Sequence, residues 1–499
     1  MMAAVQSSSV RLADLVRGLV ARPYGGDCTL TGLAIDSRLV RPGDCFLAYA
    51  GTREDGARYI RAAAAAGAVA VLTEAADVLP APGIPVLGIP GLREHLPTLA
   101  RRFYGDPAQH MRLIAITGTK GKTTTAHLCA QALQTIYGRS GYFGTLGYGA
   151  LDALESGPNT TPDPVTFQRV LSSLAAEGCG HVALEASSHA LDQGRLAQLP
   201  VAVAVFTGLG HDHLDYHGSL AAYGEAKQSL FRLPGLQAAV VNADDSYAPQ
   251  MLAALAPGTP AYTFSLRADG APVAVQALAV RCSREGSEVD LRTWQGEFSL
   301  QSPLLGEFNV QNLLAALTAL MAAGTPAATA VAALAKAHPV RGRMELITGT
   351  SNQPLVCVDY AHTPDSLERV LRALRLPGVA RLICVFGCGG DRDRSKRGPM
   401  GGIAERDADR VIVTADNPRS EDPATIAHEI CAGMREPART LVVLDRAAAI
   451  RTALMEAGPA DVVLIAGKGH ESTQTGGGAV VAFDDVAVAR ALLQELANA

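Results

Sequence analysis

Short apolar runs, each closed by glycine or a polar turn and leading into a stretch with helical spacing, recur through most of this chain. The clearest is "MRLIAITGTKGKTTTAHLCAQALQ" (111–134), which reads as a buried strand, a Gly-rich turn and an amphipathic helix. Apolar strands follow in "HVALEAS" (181–187), "VAVAVFTG" (201–208) and "AAVVNADD" (238–245), alternating with helical stretches, so a parallel sheet covered by helices is predicted. The segment 260–302 predicts antiparallel excursions before the helix "NVQNLLAALTALMAAG". From "VRGRMELI" (340–347) onward a second alternating series begins: "PLVCVDYA", "RLICVFGCG", "RVIVTAD", "TLVVLD" and "DVVLIAG", a doubly wound pattern. Before 105 the chain is mixed. "TGLAIDSRLVRPGDCFLAYAG" alternates like strands around a Pro-Gly turn, "AAAAAGAVAVL" (62–72) reads as a buried helix entering a strand, and "LPAPGIPVLGIPG" (79–91) reads as strand edges and turns. The expectation is an α/β protein of three domains: a small mixed α/β domain (1–105), a central parallel-sheet P-loop domain (106–339) and a C-terminal Rossmann-like domain (340–499). No fixed-period repeat is present.

Composition narrows the function classes. A length of 499 residues allows two to four domains, and a net charge of −5 argues against a general nucleic-acid or membrane-surface binder. The most apolar run is too short to cross a bilayer, and the opening "MMAAVQSSSVRLADLVRGLV" lacks the pattern of a secretory leader. Nine scattered cysteines without a C-x-x-C, and no histidine beside Cys384 and Cys388, support neither a zinc site nor a disulfide framework. A cytoplasmic protein with reduced thiols is expected.

Candidate chemistry concentrates in the lysines. The chain has 37 arginines and six lysines: Lys120, Lys122, Lys227, Lys336, Lys396 and Lys468. Arginine serves generic surface charge, whereas lysine is a compact amine that can lose its proton and react. "ITGTKGKTTT" (116–125) joins strand to helix, the context of a phosphate loop, although Gly118 gives a tighter G-T-x-G-K-T form than the common pattern. Backbone N–H groups of Gly118, Thr119, Lys120 and Gly121 would cradle phosphate, Lys122 would reach the β/γ-phosphates, and Thr123 or Thr124 would ligate Mg²⁺. The bland alternative is a Gly-rich turn with an incidental lysine. Glu185 ends a strand at the carboxyl edge, where it could hold Mg²⁺ or pair with an arginine. On the residues alone His213 reads as structural and Lys227, in "AAYGEAKQSLF", as a helix-surface lysine.

The phosphate loop, with "LEASSHALDQGR", "DHLDYHGS", "YGEAKQSLF", "GEFNVQN", "DYAHTPDSL", "GCGGDRDRSKR", "DNPR" and "GKGHE" in this order, resembles the Mur ligase family, ATP-dependent ligases that build the peptidoglycan precursor. The motifs are most similar to the branch that adds meso-2,6-diaminopimelate. The resemblance makes the first domain UDP-binding and the central one an ATPase. It implies Mg²⁺ held by Thr123, Glu185, His213 and Lys227, the last carrying a carbamate formed from CO₂; an ammonium cannot bind a cation, and arginine yields no such carbamate. Lys122, Lys227 and His213 are then the catalytic set. Asn312, Arg343, Asp359 and His362 would help bind ATP, with domain closure excluding water from an acyl phosphate.

For the substrates, the resemblance places the uridine nucleotide near Ile35, Ser37, Thr52, Arg53 and Glu54. The muramyl dipeptide would follow along Asn159, Thr160, Thr161, Ser187, Gln193 and Arg195. A bare Asn-Thr-Thr would otherwise read as a polar loop. Diaminopimelate carries one more carboxylate than lysine, so its site needs an extra cationic fork. By resemblance that fork is Arg419, with Arg392, Asp416, Asn417, Pro418, Gly467 and Glu471 around it; the alternative pairs Arg419 with Glu421 or Asp422. The substrates implied are UDP-MurNAc-L-Ala-D-Glu, ATP and meso-diaminopimelate, and a monomer without nucleic-acid partner or membrane insertion is expected. This sequence departs from the family pattern at Gly208, His211, Arg341 and Gly398, none of which removes a named ligand. The rivals are an L-lysine-adding sibling, against which Arg419 argues; folylpolyglutamate synthase, against which the N-terminal segment argues; and a non-catalytic nucleotide-binding scaffold, which predicts missing loop or metal residues.

Overall fold

The computed structural model describes residues 9–20, 26–51, 54–74, 83–267 and 272–498. The chain forms two compact units, one running through Phe264 and including Ala315–Pro326, the other comprising Ser265–Leu314 and Ala327 onward.

The first unit opens with a parallel sheet of β1 (Gly32–Ala34), β2 (Asp44–Ala48), β3 (Ala70–Thr73) and β4 (Val86–Gly88), in that order, backed by α1 (Leu92–Tyr104). The Pro42-Gly43 turn therefore does not make a hairpin. Gly32 pairs with Asp44 and Ala34 with Phe46 in parallel register, and the return is carried by a 3₁₀ turn at Ser37–Leu39 that Asp36 caps. β2 is buried along its whole length instead of alternating, because parallel strands are covered on both faces. In 62–72 the buried part is β3; the preceding helix, Ile60–Ala65, buries only Ile60 and Ala63. The stretch 79–91 yields the edge strand β4, and its residues 79–82 lie outside the described ones.

Next come β5 (Arg112–Thr117), α2 (Lys122–Tyr137), β6 (Gly141–Gly144), β7 (Gly147–Ala150), α3 (Pro164–Ala176), β8 (His181–Glu185), α4 (Ser188–Asp192), β9 (Val201–Phe206), α5 (Leu220–Gln228), β10 (Ala238–Asn242) and β11 (Ala261–Ser265). Their order across the sheet is β11-β10-β9-β5-β8-β6-β7, parallel except for the β6–β7 hairpin. β11 is parallel to β10, so the antiparallel excursion begins later than the sequence pattern suggested, at Val275. β5 lies mid-sheet with connections leaving to either side, which puts the loop after it at the switch point where open α/β sheets bind ligands. Caps written into the sequence start the helices. Asp163 accepts the N–H groups of Val165 and Thr166 at 2.9 and 3.0 Å ahead of Pro164, and Ser219 caps α5.

The second unit contains the antiparallel strands β12 (Val275–Ser283), β13 (Gly286–Thr293) and β14 (Gly296–Ser302), and its residues open the helix α6 (Glu307–Ala322). Beyond them lie β15 (Glu345–Ile347), β16 (Leu355–Asp359), α7 (Pro364–Ala373), β17 (Leu382–Phe386), α8 (Arg397–Asp407), β18 (Arg410–Val413), α9 (Pro423–Cys431), β19 (Leu441–Val442), α10 (Arg446–Glu456), β20 (Val462–Ala466), β21 (Thr473–Gly476), β22 (Ala479–Ala482) and α11 (Asp485–Asn498). The sheet order is β15-β16-β20-β17-β18-β19, parallel apart from β15. Successive strand residues serve opposite cores. Cys357, Cys384, Val413 and Leu464 pack with α7, α8 and α9, while Val358, Val385, Ile412 and Ile465 pack with α10 and α11. Cys384 is thus a core residue, and all nine cysteines are free thiols. Among the described residues no helix is long and apolar enough to cross a membrane.

Candidate active site

The loop after β5 turns sharply onto α2. Gly118 has φ +150°, and a Cβ there would come 2.0 Å from Thr207 Oγ1, so only glycine fits. Thr207 Oγ1 donates to the Lys120 carbonyl at 2.6 Å, and the Thr119 N–H donates to the Gly208 carbonyl at 2.8 Å, so the end of β9 pins the loop. That second bond uses only the backbone of Gly208. Lys122 Nζ folds back onto the carbonyls of Gly118 and Thr119, both at 2.9 Å. The N-terminal turn of α2, with its inward N–H groups, completes a cradle for an anion.

Glu185, at the carboxyl end of β8, is buried but pairs with no arginine among the described residues. Its carboxylate accepts from Thr123 Oγ1 at 2.9 Å, Tyr142 Oη at 2.7 Å and the Thr145 N–H at 2.8 Å. Thr123 and Glu185 together offer the oxygen donors that a hard divalent cation takes. Tyr142 and Thr145 were not foreseen, because they reach Glu185 only through the pairing of β6 with β8.

Lys227 is not on a helix surface. It is 1% exposed, and its Nζ donates to the Gly118 carbonyl at 2.8 Å and lies 4.2 Å from the centre of the Tyr223 ring. Burial, then the neighbouring Lys122 charge, lowers its pKa well below the ordinary lysine value, partly opposed by Asp212. An amine held in that way gives up its proton more readily than an exposed lysine does. His213 stands at the start of the short helix Leu214–His217 with φ +52°; its side chain is 47% exposed, and its ring is 6.3 Å from Tyr223 and 4.8 Å from His189. Among the described residues no three His, Cys, Asp or Glu side chains form a metal-sized group. The oxygen donors that fit a cation at this edge are Thr123 and Glu185.

The predicted dipeptide residues gather beside Glu185. Thr161 Oγ1 donates to the Glu185 carbonyl at 2.6 Å and accepts the Ser187 N–H at 3.1 Å. Arg195 donates to the Thr161 carbonyl at 2.7 Å and by two nitrogens to Gln193 Oε1 at 3.1 and 2.8 Å. Thr160 meets Thr145 at 3.3 Å, and the Asn159 carbonyl accepts from Tyr148. Ile35 packs against the N-terminal core, Ser37 opens the 3₁₀ turn and Glu54 is exposed beside Tyr59; Thr52 and Arg53 lie outside the described residues.

In the second unit a separate cluster forms at the carboxyl edge of its sheet. Arg343 lies 4.5 Å over the Tyr360 ring, and Asp359 accepts the Met344 N–H at 2.8 Å. Burial raises the Asp359 pKa while Arg343 opposes that shift. His362 is exposed, and its carbonyl accepts Lys396 Nζ at 2.9 Å; Asn312 is buried in α6 beside Asn309. Arg419, with φ +53°, sends its guanidinium to the Gly390 carbonyl at 2.6 Å and pairs with neither Glu421 nor Asp422. Glu421 goes instead to the fully buried Arg397 and to Arg394. Asn417 Nδ2 donates to Glu471 Oε2 at 2.7 Å, and the buried Lys468 bridges Asn417 Oδ1, Glu471 Oε2 and the Thr473 carbonyl at 3.1, 3.2 and 2.7 Å. Gly467 approaches Asp416, whose pKa burial raises against the opposing charges of Arg446 and Lys468. Arg392 is exposed nearby.

The chain matches known proteins along most of its length. Family descriptions fit residues 29–104 (Mur ligase family, catalytic domain), 116–320 (Mur ligase middle domain) and 342–469 (Mur ligase, glutamate ligase domain). A protein of Xanthomonas oryzae pv. oryzae named UDP-N-acetylmuramoyl-L-alanyl-D-glutamate–2,6-diaminopimelate ligase is 47% identical over 97% of this chain and 97% of its own. The chain belongs to the Mur ligase family. A protein of the same name from Xanthomonas campestris pv. campestris is 48% identical over 93% of this chain and 94% of its own. A solved structure of that name is 36% identical, covers 98% of this chain and 99% of its own, and superposes with a TM-score of 0.71. Membership of the Mur ligase family accounts for the doubly wound second unit and for the phosphate loop after β5.

Proposed function

We propose that this chain is an ATP-dependent ligase that joins meso-2,6-diaminopimelate to the D-glutamate γ-carboxylate of UDP-MurNAc-L-Ala-D-Glu in peptidoglycan precursor synthesis. The observation that carries this reading is full-length similarity to relatives named for the reaction, with Lys122, Thr123, Glu185 and Lys227 gathered around one loop. The γ-carboxylate oxygen attacks the γ-phosphorus of ATP, giving an acyl phosphate and ADP. The amine of the amino acid attacks the acyl carbon, loses a proton, and the tetrahedral adduct expels phosphate to leave the amide. Such transfer needs positioning and charge neutralisation above all. Gly118 to Thr124 bind the phosphates, with Asn312, Arg343, Asp359 and His362 assigned to the rest of ATP. Mg²⁺, held by Thr123, Glu185, His213 and carbamylated Lys227, would supply further neutralisation of phosphate charge. The Lys227 carbamate forms when its neutral Nζ bonds to the carbon of CO₂ and releases a proton.

Ile35, Ser37, Thr52, Arg53 and Glu54 are assigned to the uridine nucleotide, and Asn159, Thr160, Thr161, Ser187, Gln193 and Arg195 to the dipeptide. Arg392, Asp416, Asn417, Pro418, Arg419, Gly467 and Glu471 are assigned to diaminopimelate. Arg419, unpaired with any carboxylate of its own loop, suits a substrate carboxylate. The working domains are 1–105, 106–339 and 340–499, in a cytoplasmic monomer that binds no nucleic acid. The test supplies the UDP-dipeptide, ATP and Mg²⁺ with meso-diaminopimelate or L-lysine in parallel. Phosphate release and the tripeptide product are expected with diaminopimelate; equal release with lysine would overturn the specificity, and none with either would overturn the activity.

A further inference from the structure

Arg419 sits in a backbone conformation that L-residues adopt rarely, and one small element accounts for it. β21 and β22 form a hairpin closed by Gly477-Gly478, with Val480 and Val481 exposed on its outer strand. Its inner strand is tied to every residue from Asp416 to Arg419. Gln474 Nε2 donates to the Asp416 carbonyl at 2.8 Å, and the Thr475 N–H donates to Asn417 Oδ1 at 3.0 Å. The Pro418 ring packs on Gly476 so closely that a Cβ there would lie 2.9 Å from Pro418 Cγ. The Arg419 N–H donates to the Thr475 carbonyl at 2.9 Å, and the Arg419 carbonyl accepts the Gly477 N–H at 3.2 Å. Lys468, through the Thr473 carbonyl, fastens the base of the hairpin to the loop that carries Glu471.

We propose that the β21–β22 hairpin is a strap that fixes Arg419 and thereby sets which amino acid the second unit accepts, with Gln474 and Gly476 as positioning residues. Both backbone hydrogen-bonding groups of Arg419 are satisfied by the hairpin. Without it, the residue would relax from φ +53° into a commoner region and swing its guanidinium away from Gly390. This inference rests on the amino-acid assignment proposed above.

The experiment makes Gly476→Ala and Gln474→Leu in the wild-type chain and in an Arg419→Ala chain. Phosphate release is followed with meso-diaminopimelate and with L-lysine, at saturating UDP-dipeptide and ATP. In the wild-type chain each substitution is expected to raise KM for diaminopimelate about tenfold, leave KM for ATP within about twofold, and weaken the preference for diaminopimelate over lysine. In the Arg419→Ala chain each substitution should raise KM far less than in the wild-type chain, because most of what the strap contributes to amino-acid choice passes through that residue. Equal losses in both chains, or an undiminished preference for diaminopimelate, would overturn the strap. Should Gly476→Ala fail to fold, Gln474→Leu, which removes one side-chain amide and leaves the backbone untouched, carries the test. Wild-type protein inert with both amino acids would overturn the proposed activity, an outcome distinct from active protein whose preference ignores the strap.

Discussion

Lys122 and Lys227 donate to one carbonyl oxygen, that of Gly118, at 2.9 and 2.8 Å. Two ammonium groups so placed repel each other, and the buried one is the cheaper to discharge. The Lys227 pKa lies well below its ordinary 10.5, so the unfolded chain binds this proton more tightly than the folded one. The group therefore opposes folding at pH values below 10.5 and ceases to do so above it. Two consequences separate chemistry from stability. Lys227→Met should not lower the unfolding midpoint at neutral pH, yet ligation should fall at least about a hundredfold, the scale of losing one preorganised charge-stabilising group. Lys227→Arg should be equally inactive if the proposed carbamate is used, since a guanidinium forms none; full activity in that variant, measured as ADP formation, would overturn the proposed carbamate. Lys227→Ala should regain part of its activity when short carboxylates are added.

At the scale of the element, α2 carries both the loop lysine and a half-buried histidine. Burial pushes the His127 pKa down to about 4 from its usual 6.5, and its Nδ1 meets Gln131 Nε2 at 2.9 Å. As pH falls the unfolded chain takes up this proton first. The stability from neutral His127 is thus complete above about 6.5 and is lost progressively toward about 4. Denaturant titrations of His127→Gln should show a shallower loss across that window than the wild type; identical slopes would mean that the imidazole is hydrated in the folded protein. The elements also show what was legible. The phosphate loop could be read directly because strand, glycines, lysine and threonines fall within one short segment. Lys227 could not, since "AAYGEAKQ" has the look of an exposed helix and its burial depends on packing against residues about a hundred positions earlier. The hairpin at 473–482 carried a readable signal, a Gly-Gly turn between short runs, but its pairing with the Asp-Asn-Pro-Arg loop has none.

For the molecule as a whole, each unit places its chemistry-bearing residues at the carboxyl edge of a parallel sheet. In the second unit that edge rests on a buried ion pair. Arg446 and Asp485, both fully buried, meet at 2.7 Å, and the guanidinium also donates to the Ala466 carbonyl at 3.0 Å. Arg446→Met alone strands a buried carboxylate and should cost about 3–5 kcal/mol, whereas Arg446→Met with Asp485→Leu should recover most of that loss. Hydrogen exchange gives the readout. Protection should fall in Leu355–Asp359 and Val462–Ala466 with the single substitution and return with the double one, while Arg112–Thr117 stays unchanged. Loss of protection that persists in the double variant would show that packing, not charge, holds the edge.

The sequence by itself determined the α/β class, the alternation of strands and helices, the phosphate loop and the residue types available for ligation, because these reside in spacing and local turn chemistry. It placed the start of the antiparallel strands too early, since β11 runs parallel to β10 and strand pairing is a long-range choice that periodicity does not encode. Only the tertiary structure decided that Glu185 is met by hydroxyls and an amide instead of an arginine, that Lys227 is buried against Lys122, and that a hairpin holds Arg419. Those are statements about which groups lose water together, and desolvation is a property of the packed chain, not of any segment.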